Sequence, residues 1–234
     1  GKVLRGPEGE YNPLAPGDRV EIDSGRVIER LPRSNSISRF NRKRSSMQAV
    51  AANVDLLVVV SSARHPDYRA GFVDRVLVMA ELEQVTASVV VNKVYLGVPE
   101  SVARHAALLT HVGYAVHYIS VTAERGIDEV RKIAAGTVVL FGQSGVGKST
   151  LINYIVPSAH LTTGEVSGRY DRGRHTTTLA KCIVTGSESG SPTLIDTPGV
   201  RSFDLSNYEP VEIAAGFREF ARHIAECAMP SCTH

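Results

Sequence analysis

The sequence predicts a doubly wound α/β domain, with short β-strands before it and a small helical segment after it. Three observations carry this expectation. From Asn53 onward, continuous apolar runs alternate with amphipathic segments. A Gly-rich turn lies between one of those runs and a helical pattern. Residues 1–47, by contrast, read as short extended pieces broken by turns.

In chain order, Pro16-Gly17-Asp18 is a turn signal, and Arg19 to Asp23 alternates as a half-buried strand does. A second short strand, Gly25 to Arg30, follows at once, and this close spacing suggests a small OB-like β-barrel that the segment alone is short to complete. The runs Leu56 to Val60, Ser88 to Val91, Ala115 to Ile119 and Val138 to Phe141 fit parallel strands covered on both faces. Between them, Phe72 to Leu82 places Phe72, Val76, Met79 and Ala80 on one side at helical spacing. Val102 to Val112, Ile127 to Ile133 and Thr150 to Ile155 are the next helices. A polar, Gly-rich stretch runs from Pro157 to Thr178, followed by strands at Leu179 to Thr185 and Thr193 to Ile195. Val211 to Glu226 is helical in pattern. Cys182, inside an apolar strand, is expected in the core.

Composition excludes some function classes. The 234 residues are 43% hydrophobic and 21% charged, an ordinary globular balance sufficient for one substantial core and one or two small modules. The longest apolar run, Leu56 to Val60, is far below the roughly 20 residues that span a bilayer, so no membrane anchor or leader is read. Three Cys make no disulfide framework, and a cytoplasmic location is expected. A start without Met reads as a fragment or a processed chain. Net charge is only +2, but Arg26, Arg30, Arg33, Arg39, Arg42, Lys43 and Arg44 face a single acid, Glu29, within one segment. Such a segment is either a solvated loop or an electrostatic footprint for nucleic acid.

The strongest chemical signal is Gly142-Gln143-Ser144-Gly145-Val146-Gly147-Lys148-Ser149, with Thr150 following. It matches the P-loop pattern in full, between an apolar strand and a helix. Glycines let backbone N–H groups turn inward toward phosphate oxygens, and the helix N-terminus adds partial positive charge. Lys148 is placed to reach the β and γ phosphates, and the Ser149 hydroxyl to ligate Mg²⁺. Asp196-Thr197-Pro198-Gly199 ends an apolar strand, so Asp196 is placed beside Mg²⁺ and Gly199 beside the γ-phosphate. In Arg174-His175-Thr176-Thr177-Thr178, Thr177 is the candidate to complete the Mg²⁺ shell, with Thr176 its competitor.

Guanine-specific P-loop enzymes read the base with Asn-Lys-x-Asp at a strand end. Asn92-Lys93-Val94-Tyr95 holds that position, and Ser120-Val121-Thr122 is a candidate second base loop. These elements precede the P-loop, whereas conventional GTPases place them after it. The order resembles the circularly permuted GTPases. More narrowly, the chain resembles the bacterial small-subunit biogenesis GTPases, which join an N-terminal OB-fold, a permuted GTPase domain and a C-terminal zinc-binding domain. Arg33 to Arg39, Phe72-Val73-Asp74-Arg75, Gly173 to Thr178 and Cys227 to His234 carry the likeness alongside the motifs above.

The resemblance implies an α/β fold containing a circularly permuted P-loop GTPase domain over residues 48–206. It places an OB-like β-barrel at 1–47 and a truncated zinc module at 207–234. It also implies GTP hydrolysis to GDP with Mg²⁺, low intrinsic activity, and activation by the small ribosomal subunit. Further expectations are rRNA contact by the basic segment and a monomeric chain. His175 is the group expected to orient water, because Val200 stands where many GTPases carry Gln. Cys227, Cys232 and His234 match three family zinc ligands, and the chain stops before a fourth. Because Asp196 to Gly199 leads directly into the C-terminal module, nucleotide state is expected to reposition that module. One departure bears on specificity: the family's base motif ends in Asp, and this chain has Tyr95. An ATPase or relaxed-specificity nucleotide hydrolase therefore stands beside GTPase, and Val200 with the unfinished zinc module keeps open a third reading, an RNA-binding nucleotide switch with little hydrolysis.

Overall fold

The computed structural model describes residues 10–11, 14–41, 46–159, 161, 180–185, 192–197, 203, 205–220, 223, 224 and 226. The elements in chain order are β1 (Glu10–Tyr11), β2 (Val20–Asp23), β3 (Arg26–Arg30), β4 (Ser36–Asn41), β5 (Ser46–Ala52), β6 (Leu56–Ser62), α1 (Ala70–Leu82), β7 (Thr86–Asn92), α2 (Glu100–His111), β8 (Ala115–Tyr118), α3 (Ile127–Ile133), β9 (Thr137–Gly142), α4 (Lys148–Ile155), β10 (Lys181–Val184), β11 (Thr193–Asp196) and α5 (Pro210–Ala215).

The main sheet follows the order β10-β11-β9-β6-β7-β8. All its pairings are parallel except β10 with β11. The runs in β6, β7 and β9 have the reason expected of them, since successive residues face opposite layers and both layers are covered. The run at Ala115 departs from that expectation: β8 is an edge strand, and its Ala115 and Tyr118 are exposed. Leu57 and Val59 of β6 join Val89, Val91, Val139 and Phe141 in one buried cluster with Phe72, Val76 and Met79 of α1 and Val102 of α2. Val58 and Val60 face the other way, joining Val90, Val138 and Leu140 with Ile127 of α3 and Leu151 of α4.

Before this sheet, β1-β5-β4 form a three-stranded sheet and β2-β3 a separate antiparallel pair. β5 crosses residue 47 and pairs along β4, so the N-terminal strands run continuously into the sheet domain. The junction is held by polar bonds. Asn35 exchanges hydrogen bonds with Val54, its Nδ2 donating to the Val54 carbonyl at 3.0 Å and its Oδ1 accepting from Val54 N–H at 2.8 Å. Asn53 donates to the Gly17 carbonyl at 2.9 Å and accepts from Ser34 N–H at 2.9 Å. Gly17 is required here, since its φ is +90° and a Cβ would lie 2.1 Å from the Ala52 carbonyl oxygen.

Two further sequence expectations are corrected. The single helix expected over Val211 to Glu226 is α5, which stops at Ala215 and is followed by a short 3-10 turn at Arg218–Phe220. The chain passes so close to α1 at Gly216 that a Cβ there would lie 2.6 Å from Val78, and it must then turn to dock. Arg218 donates to Glu81 at 2.8 Å and to the Gly113 carbonyl at 2.9 Å, and its guanidinium lies 3.9 Å over the Tyr114 ring. Cys182 is exposed rather than buried, because β10 is an antiparallel edge strand whose residues Lys181, Cys182 and Val184 face solvent.

Candidate nucleotide site

Parallel register brings the C-terminal ends of the strands to one edge of the sheet. Ser62 pairs with Asn92, Gly142 with Val60, and Asp196 with Leu140. In open α/β sheets this edge is where ligands bind. Segments around residues 92, 120, 142 and 196, far apart in sequence, therefore meet there.

The turn after β9 is shaped by its glycines. Gly145 and Gly147 take φ of +79° and +100°, conformations that cost an L-residue with a Cβ about 1–2 kcal/mol. Gly142 passes β6 so closely that a Cβ would lie 2.1 Å from the Val60 carbonyl oxygen. Gly147 caps α4, and its own Cβ would lie 2.3 Å from the Asn92 side-chain nitrogen. Gln143 and Val146 are buried, and α4 begins at Lys148, two residues earlier than the sequence pattern indicated.

Lys148 is only 7% exposed, and its ammonium donates to the carbonyls of Gly142 at 2.8 Å and Gln143 at 2.9 Å. Burial pulls its pKa down to about 8, partly countered by the Asp196 carboxylate. A buried cation with carbonyl partners is costly, and an anion such as phosphate is the partner that relieves that cost. Ser149 Oγ donates to Asp196 Oδ2 at 3.4 Å. Asp196 Oδ1 is buried without a hydrogen-bond partner among the described residues. Burial raises the Asp196 pKa, against the lowering pull of Lys148, Ser149 and Lys181. A hydroxyl and a carboxylate with one spare buried oxygen are the donor set of a hard divalent cation, so Mg²⁺ fits these residues.

Asn92 ties three loops together. It is 3% exposed, its Nδ2 donating to the Val146 carbonyl at 2.9 Å. Its Oδ1 accepts from Lys93 N–H at 2.7 Å and Val121 N–H at 3.3 Å. Lys93 adopts φ of +62°, and its ammonium donates to the Gly145 carbonyl at 2.7 Å and to the His65 carbonyl. Burial lowers the Lys93 pKa. Ser120 is fully buried, pairs its backbone with Arg125, and its hydroxyl accepts from Ala123 N–H at 3.2 Å. Tyr95 lies in a 3-10 turn at Val94–Leu96 and is 52% exposed.

The edge thus gathers Gly142 to Thr150, Asn92, Lys93, Tyr95, Ser120, Val121 and Asp196. Thr177, Gly199, His175, Cys227, Cys232 and His234 lie outside the described residues. Among the described residues no cluster of His, Cys, Asp and Glu forms a metal site of the zinc type. No described helix is long and apolar enough to cross a membrane. Of the basic segment, Arg33 is already engaged with Asp18 through two hydrogen bonds of 2.7 and 2.9 Å.

Sequence reasoning missed two supporting contacts. The His65 carbonyl holds Lys93, a backbone role that side-chain identity cannot reveal. Arg75 Nε donates to the Phe203 carbonyl at 2.8 Å, and Phe203 packs edge-on against Phe141 at 5.5 Å. The chain leaving the Asp196 segment is thus fastened to α1 at Phe203. The Arg75 side chain in Phe72-Val73-Asp74-Arg75 was the available signal.

A family model described as RsgA GTPase matches residues 30–206. The chain belongs to the RsgA GTPase family. Small ribosomal subunit biogenesis GTPase RsgA of Borrelia recurrentis is 39% identical over 240 residues, covering all of this chain and 75% of that protein. The protein of the same name from Chlorobaculum parvum is 34% identical, covering 97% of this chain and 72% of its own length. Among solved structures, YjeQ from Thermotoga maritima matches with a TM-score of 0.66 and 26% identity over 89% of this chain and 66% of its own. YloQ, described as a circularly permuted GTPase, matches in fold with a TM-score of 0.63, 24% identity, and coverage of 95% and 71%. Family membership makes the chain a GTP hydrolase, and its fold matches that of a circularly permuted GTPase, in agreement with strand ends at Asn92 and Tyr118 that precede the Gly142 turn around an intact parallel sheet.

Proposed function

We propose that the chain hydrolyses GTP to GDP and phosphate at this sheet edge as a cytoplasmic, monomeric assembly factor of the small ribosomal subunit. The observation that carries the chemistry is the buried Lys148 ammonium, held by carbonyls beside the spare Asp196 oxygen. The relatives' printed names support the assembly role.

In this reading Gly142 to Thr150 wrap the phosphates, and Lys148 exchanges its carbonyl partners for phosphate oxygens. Ser149 and Asp196, with Thr177, would hold Mg²⁺, whose charge supports the transferring phosphoryl group. Gly199 approaches the γ-phosphate and His175 orients the attacking water. Asn92, Lys93, Tyr95, Ser120 and Val121 frame the base. Residues 1–47 act as an OB-like RNA-binding barrel, joined through β5 to the GTPase domain at 48–206. Residues 207–234 begin a zinc module in which Cys227, Cys232 and His234 are ligands.

The test is phosphate release from GTP with and without purified small subunits. The reading expects slow turnover that rises steeply with subunits present. Equal turnover in both conditions would refute the assembly role.

A further inference from the structure

The base site carries a departure that the structure makes hard to repair. No Asp or Glu occurs between Asn92 and Pro99, so no adjacent residue supplies the carboxylate that the family motif places at position 95. The backbone around that position is pinned. Val94 N–H donates to the Ile119 carbonyl at 3.2 Å, Leu96 N–H to Lys93 at 3.0 Å, and Gly97 N–H to Val94 at 3.0 Å. Rotation of the turn to substitute a neighbouring residue would break these bonds. Asn92 cannot compensate, since both ends of its amide are committed to loop contacts. Lys93 likewise spends its ammonium on the Gly145 and His65 carbonyls. The Tyr95 hydroxyl has no hydrogen-bond partner among the described residues, and its side chain is half-exposed.

A carboxylate accepts hydrogen bonds only. It matches the N1–H and 2-amino donors of guanine together, and it repels the N1 acceptor of adenine. A phenol both donates and accepts. It can accept from guanine or hypoxanthine N1–H, or donate to adenine N1, and it offers no second acceptor to the guanine 2-amino group. We propose that Tyr95 makes the base site permissive, so that the site takes guanine, hypoxanthine and adenine nucleotides alike. This rests on the nucleotide-hydrolase reading above and names its substrate class as purine nucleoside triphosphates.

Competition titration of GDP, IDP and ADP with Mg²⁺, on the parent chain and on Tyr95→Asp, tests the inference. The parent should bind all three within about tenfold of one another, and the variant should gain about ten- to a hundredfold in preference for GDP over IDP and ADP. A parent preference for GDP over either competitor well beyond about tenfold, or a Tyr95→Asp ratio equal to the parent's, overturns the inference while leaving the nucleotide reading intact. Absence of saturable binding by any of the three overturns both.

Discussion

Replacing Asn92 with Ala removes a side chain that bonds to three of the site's loops. Three hydrogen bonds disappear, to the Val146 carbonyl and to the N–H groups of Lys93 and Val121. At about 0.5–1.5 kcal/mol each, they sum to roughly 1.5–4.5 kcal/mol before any relaxation. The Val146 carbonyl lies against a residue that is itself buried, so water replaces the lost partner poorly and the upper half of that range is expected. Part of the loss falls on global stability and part on the alignment of the loops. Urea unfolding should therefore show a deficit of about 2 kcal/mol, and GDP titration a loss of at least about tenfold in affinity. A variant within about 0.5 kcal/mol in stability and twofold in GDP affinity would refute the argument that Asn92 organises the site.

Three further outcomes follow from the same contacts. Lys148→Met should lower nucleotide affinity by at least about a hundredfold while shifting nucleotide-free stability by less than about 1 kcal/mol, because lost desolvation offsets the two lost carbonyl bonds; titration and urea unfolding check each half. The Asp18 side chain is 3% exposed, and although burial raises its pKa, the Arg33 hydrogen bonds, the Ala15 N–H and the charges of Arg33 and Arg30 outweigh this and hold it below the usual value. Asp18→Ala should thus cost about 3 kcal/mol at neutral pH, and urea unfolding across pH should show the gap fully present above about pH 4 and closing as pH falls through the lowered folded value. Arg218→Ala should destabilise by about 1–3 kcal/mol and raise hydrogen exchange in 203–218, since it removes the bonds to Glu81 and Gly113 and the stacking on Tyr114.

Much of the fold was legible in the sequence, for a physical reason. Residues such as Leu57 and Val58 are buried on opposite faces of one strand, so an unbroken apolar run could mean only a covered strand or a short buried helix, and its length favoured the strand. Gly142 and Gly147 were legible because the turn leaves no room for a Cβ at either and takes a positive φ at Gly147, which leaves a direct trace in residue identity. Cys182 misled because an edge strand can be apolar in composition yet open to solvent, and edge position is a property of the sheet order. The early end of α5 depended on how closely Gly216 approaches Val78, a contact separated by more than a hundred residues. The His65 carbonyl that holds Lys93 was invisible because every residue carries a carbonyl.

The central claim is that a permuted chain order assembles one nucleotide site from segments near residues 92, 120, 142 and 196. Amide hydrogen exchange with and without GDP and Mg²⁺ tests it directly. The account predicts simultaneous protection of 92–96, 120–123 and 142–150, with the β2-β3 pair unchanged. Protection confined to 142–150, with 92–96 and 120–123 exchanging as in the free protein, would contradict it.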